Sequence, residues 1–152
     1  MRDRLKKIYF TLLAPVITCF MGISLFRLFH PPIYLREGDM AIIAPTIFIL
    51  SVVFAMAGPI LYRSFFAHRQ RNHSRISQTE LFIFERTLIG ISMVAPYLAL
   101  GAYFLQLPRF HLAATLLAAL YAIYYYYPSK KRITFDGKIF RVGDVIGIDG
   151  LR

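Results

Sequence analysis

Apolar positions in this chain come in long blocks, not in the short periodic runs of a soluble fold. Four blocks stand out: Ile8 to about Phe29, Met40 to Leu61, Thr87 to about Leu107, and about Phe110 to Tyr127. A helix rising about 1.5 Å per residue needs roughly 20 apolar residues to cross hydrocarbon, and the blocks approach or meet that length. The pattern predicts an all-α membrane protein, a bundle of four transmembrane helices. The fourth block is the shortest, and it spans if its aromatic end lies in the headgroup layer.

The polar breaks agree with these limits. "HPPIYLREGD" (30–39) holds two prolines, which cannot continue a helix, followed by a polar turn. Residues 62–80 read as a basic loop. At its end Ser77 and Glu80 have capping-box spacing, so the third helix begins near Gln78, ahead of its apolar block. "QLPRFH" (106–111) is a tight turn, with Pro108 suited to the first turn of helix four.

Charge placement orients the bundle. The 152 residues carry a net charge of +10. In a soluble protein that excess would suggest nucleic acid as a partner; in a membrane chain the question is on which side the cations lie. The N-terminus has Arg2, Arg4, Lys6 and Lys7 against Asp3. The first loop has Arg36 against Glu37 and Asp39. The second loop and its flanks have Arg63, Arg69, Arg71, Arg75 and Arg86 against Glu80 and Glu85. The third loop has Arg109 alone, and the tail has Lys130, Lys131, Arg132, Lys138, Arg141 and Arg152. Rich and poor segments alternate with each crossing, which places both termini in the cytoplasm of an inner (plasma) membrane protein. Residues 1–128 form the transmembrane domain and 129–152 a basic cytoplasmic tail. The first block is too long for a signal peptide and no small-residue cleavage pattern precedes His30, so it reads as an uncleaved span.

Tyr124 to Tyr127 put four amphipathic rings where the last span meets water, as a collar. Beyond Pro128, Asp136-Gly137 between two β-prone runs predicts a β-hairpin over 132–142. Each span also has a stripe of small residues that lets another backbone approach. These are Ala14/Thr18/Gly22, Ser51/Ala55/Gly58, Ala95/Ala99/Ala102 and Ala114/Ala118/Ala122. Internal packing is the expected use, a partner subunit the alternative. Pro15, Pro59 and Pro96 are expected to bend their helices, Pro96 most.

Candidate chemistry is sparse. No ionisable residue lies deep in a span, which argues against proton-coupled transport. Near the inner ends, Glu85 is expected to form a structural ion pair with Arg63. On the outer side Arg27, His30, Arg109 and His111 are candidates for holding a cofactor or an anionic group, against the plainer role of interfacial anchors. His68 and His73 lack the further ligands a zinc site needs. Arg63, Arg69, Arg71, Arg75, Lys130, Lys131 and Arg132 form a cationic face for anionic lipid or a partner protein. The single cysteine, Cys19, excludes an internal disulfide. No catalytic motif, metal site or cofactor is predicted. The expected partners are the bilayer and another membrane protein or a second copy, not nucleic acid. The leading function is a non-catalytic accessory or scaffold subunit. A redox or lipid- or quinone-handling enzyme subunit is the alternative, and an oligomeric carrier or pore the next.

Overall fold

A computed structural model of the protein describes residues 2–29, 37–70 and 76–139, and these form helices and turns without a strand. The helices are α1 (Arg2–Phe29), α2 (Glu37–Val52), α3 (Gly58–Arg69), α4 (Gln78–Phe104), α5 (Arg109–Tyr125) and α6 (Lys130–Ile139). A π turn, Val53–Ala57, joins α2 and α3 into one rod, and Met40–Arg69 runs for 30 residues. Three helices are long and apolar enough to cross a membrane: α1, this rod and α4. At 17 residues α5 is shorter.

The π turn has a cause in the sequence. Pro59 has no N–H for the carbonyl four residues back, and its ring crowds that carbonyl. The helix widens just before it, and the Gly58 N–H bonds the Val53 carbonyl instead. Among the described helices, the departure from α geometry therefore falls ahead of Pro59, whereas α4 continues as α-helix through Pro96. α3 also runs past the apolar block to Arg69, shortening the expected basic loop. Its rings Tyr62 and Phe66 pack on Phe84 of α4, at centroid distances of 5.5 and 4.4 Å, and carry the helix onward.

α4 is the axis of the bundle. It packs on α1, α2, the π turn, α3 and α5. In its apolar stretch 44% of residues are buried, against 17% in α1 and 17% in the α2–α3 rod. Its side chains are large toward the basic end (Phe84, Leu88, Ile89, Met93) and small toward the other (Ala95, Ala99, Ala102). The N-terminal capping box forms as its spacing predicts. The Glu80 N–H bonds the Ser77 hydroxyl at 3.2 Å, and the Ser77 N–H bonds the Glu80 carboxylate at 3.0 Å.

Two readings of the chain's last part are corrected. Residues 132–139 are helical, not one arm and turn of a hairpin, and 140–142 lie outside the described residues. Ser129 caps α6, its hydroxyl accepting from the Arg132 N–H at 3.3 Å, and Asp136 is bonded by Arg63 instead of making a turn. The tyrosine collar is also incomplete. Tyr124 is 86% exposed, but Tyr126 is only 3% exposed and packs in a core with Phe84, Leu88 and Ala122. α5 ends at Tyr125, and the capping residue Tyr126 turns its ring inward.

The turn after α4 closes tightly. The Leu107 N–H bonds the Ala102 carbonyl at 3.1 Å and the Gln106 N–H bonds the Tyr103 carbonyl at 3.3 Å. This paired closure requires a left-handed residue between them, and Gln106 takes that place with φ 53°. Glycine adopts this conformation without a Cβ clash. Gln106→Gly is therefore expected to stabilise the protein by about 1 kcal/mol, and Gln106→Val to destabilise it, in denaturant unfolding measured in detergent micelles.

Candidate functional site

The charged groups of the basic end converge on Arg132, in the first turn of α6. Its guanidinium donates to the Glu85 carboxylate of α4 at 3.0 Å and to the Tyr125 carbonyl at 3.3 Å. Its Nε lies 3.9 Å from Asp136, one turn on, and its plane sits 5.0 Å from the Tyr126 ring centre. Arg63, from α3, donates to the other Asp136 oxygen. The result is a chain of alternating charge, Arg63–Asp136–Arg132–Glu85, that ties α3, α4 and α6 together. A planar guanidinium spreads five donors over a fixed fork and suits this hub, whereas an ammonium brings its three donors from a single point.

Burial makes the network consequential. Glu85 and Asp136 side chains are 0% and 1% exposed, and Arg132 is 15% exposed. A carboxylate removed from water to that extent must be paired to stay ionised. Burial lowers the Arg132 pKa from its ordinary value, and the Glu85 carboxylate opposes that shift by favouring the cation. Two acceptors of the network, Glu85 Oε1 and Asp136 Oδ2, take no hydrogen bond among the described residues.

The partners differ from the expected Glu85–Arg63 pair. Glu85 bonds Arg132 and Arg63 bonds Asp136. Asp136 is the residue that sequence reasoning missed, because Asp-Gly was assigned to a turn. The available signals were the Arg132/Asp136 spacing of four, which pairs side chains on a helix, and Ser129 as an N-cap directly after Pro128. The other proposed surface cations separate. Arg69, Lys130 and Lys131 are exposed, while Arg71 and Arg75 lie outside the described residues. Beside the network is a cleft of about 590 Å³, lined by Arg63, Lys131, Arg132, Asp136 and the tyrosines at the end of α5.

The outer Arg/His set is not assembled among the described residues. Arg27 donates to the Tyr103 carbonyl, and to the Phe104 carbonyl at 3.2 Å, at the C-terminus of α4. Its guanidinium also stacks 4.2 Å from the Tyr103 ring centre. It thus meets carbonyls that a helix end leaves unpaired. Arg109 is exposed. His111 sits edge-on to Phe48 and Phe110, and its buried Nδ1 has no hydrogen-bond partner among the described residues. His30 lies outside the described residues, and no group of three metal-ligating side chains occurs among those described.

Polar contacts also hold α1. Tyr9 donates to the Ile123 carbonyl and Tyr97 to the Leu12 carbonyl, each at 2.8 Å, and the Ser24 and Tyr103 hydroxyls meet at 3.0 Å. Apolar burial of α1 is confined to its first half: Leu5, Tyr9, Leu13 and Val16. Beyond that, a groove of about 530 Å³ opens between Cys19, Gly22 and Ile23 of α1 and Tyr97, Gly101 and Phe104 of α4.

No family model, curated protein or solved structure matches this chain.

The network yields a stability prediction. Glu85→Ala strands a buried guanidinium and is expected to cost about 3–5 kcal/mol. Arg132→Lys should also destabilise, whereas replacing Glu85 and Arg132 together by Met should recover most of the loss. Denaturant midpoints of the three variants in micelles check the order.

Proposed function

We propose that this is a four-span inner-membrane protein, termini in the cytoplasm, acting as a non-catalytic accessory subunit that packs laterally on another membrane protein. The membrane part is supported by the three long apolar helices and by their outward side chains, among them Met21 at 70% and Leu61 at 68% exposed. A water-soluble surface rarely carries large apolar patches. α5 completes the fourth crossing. Its 17 residues reach about 25 Å, and the exposed Tyr124 and Tyr127 extend it into the headgroup layer.

The observation that carries the subunit role is the direction of the small-residue stripes. Ser51, Ala55, Ala95, Ala99, Ala102 and Ala122 are buried within the bundle. Ala14, Thr18 and Gly22 of α1 are all exposed. The Thr18 hydroxyl is bonded back to the Ala14 carbonyl at 2.9 Å, so it makes its hydrogen bond within its own helix. A Cβ added at Gly22 would meet nothing within 4 Å. In lipid, helices associate where small residues allow close approach, so this face suits a helix from another polypeptide.

Gly22→Leu separates the two roles of the stripe. Leucine is the better helix former by about 0.7 kcal/mol, so the isolated protein should be no less stable in micelles. A partner identified by mass in mild-detergent purification of the unaltered chain should be lost from the variant. Retention of the partner at full stoichiometry would remove the support for this face. Recovery of a second copy of the chain instead would assign the face to self-association.

A further inference from the structure

We propose that the cleft at the basic end binds the headgroup of an anionic phospholipid whose headgroup bears hydroxyls, of the phosphatidylglycerol type. This rests on the membrane placement proposed above. The phosphodiester would lie by Lys131 and the N-terminus of α6, and a headgroup hydroxyl would donate to Asp136.

Four observations converge on this site. The first is a charge remainder. Of the cations lining the cleft, Arg63 is paired with Asp136 and Arg132 with Glu85, which leaves one positive charge. Lys131 carries it: it is exposed and forms no ion pair among the described residues. One phosphodiester has the charge that balances it. The second is a carboxylate oxygen without a hydrogen bond, its nearest cation among the described residues being the Arg132 Nε at 3.9 Å. Asp136 lines the cleft at 1% exposure, and its Oδ2 takes no hydrogen bond among the described residues. A phosphate alone cannot satisfy it, because an ionised phosphodiester has no donor; a hydroxyl beside the phosphate can.

The third observation is the end of α6. Ser129 satisfies the Arg132 N–H with its hydroxyl and the Ile133 N–H with its carbonyl, at 3.3 and 3.2 Å. The Lys130 and Lys131 N–H groups precede any intrahelical acceptor, and a helix start of this kind attracts anions. The fourth is depth. Tyr124 and Tyr127 line the same cleft and are exposed. Such rings settle at headgroup level, where a phospholipid presents its phosphate.

The test uses the full chain purified in a non-ionic detergent, with binding followed by calorimetry. Short-chain phosphatidylglycerol is compared with phosphatidylmethanol, which has the same charge and no headgroup hydroxyl. Glycerophosphoglycerol, the same phosphodiester without acyl chains, tests the free source of the same chemistry. Saturable binding of phosphatidylglycerol, with phosphatidylmethanol about tenfold weaker, is expected from one hydrogen bond to a charged acceptor. Lys131→Gln, on an exposed side chain, should weaken both lipids about fivefold. Equal binding of the two lipids would overturn the role of Asp136, and an unchanged Lys131→Gln would overturn the phosphate site. Tighter binding of glycerophosphoglycerol than of the lipid would overturn the lipid source. A chain that stays with carbonate-washed membranes but binds no lipid saturably defeats this proposal alone. A chain recovered in the soluble fraction defeats the membrane reading with it.

Discussion

A buried glutamate on the central helix constrains the basic end of this molecule. Glu85 is fully buried on α4, and α4 touches every other long element. An unpaired ionised carboxylate there would be costly, and a cation beside it offsets that cost. The cation that arrives is Arg132, from a short helix 47 residues further along the chain. Its arrival brings Asp136, and Asp136 in turn holds Arg63 at the end of the α2–α3 rod. One buried charge thereby recruits α6 to the bundle and closes the ends of α3, α4 and α5 around a polar cluster.

The two ends of the bundle are built on different principles. At the basic end, large side chains and paired charges fill the space between helices. At the other, α4 presents Ala95, Ala99 and Ala102, the turn over 105–107 is closed by backbone bonds, and α1 is held by Tyr103, which engages Phe20, Ser24 and Arg27. In lipid, where this chain is proposed to lie, hydrogen bonds between helices are worth on the order of 1 kcal/mol each. They fix the direction of α1 without covering its flank. The same arrangement that anchors α1 leaves Ala14, Thr18 and Gly22 uncovered.

What was legible in the sequence was what is local or compositional. The helical class and the long apolar elements follow from block length. The start of α4 follows from Ser77 and Glu80, whose bonds close within four residues. What was not legible depended on distant partners. The Asp136-Gly137 turn preference is real in isolation, but Arg63, 73 residues earlier, outweighs it. Chain proximity suggested Arg63 for Glu85, yet the bundle places Arg132 nearer. Tyr126 belongs by composition with its neighbours and by geometry with the core, because the helix ends just before it. The small-residue stripes were visible by spacing, but spacing carries no information on which stripe faces inward. For the cleft, its cations were apparent and Asp136, its acceptor, was not.

The central claim is that α5, the shortest long helix, completes a fourth crossing and so puts the basic cleft on the cytoplasmic side. Arg109 and Lys131 flank α5 at its two ends and both are exposed. In a background where Cys19 is replaced by Ser, Arg109→Cys and Lys131→Cys can each be probed in intact cells with a membrane-impermeant maleimide. The account predicts labelling of the first in intact cells and of the second only after permeabilisation. Labelling of both from the same side would contradict it.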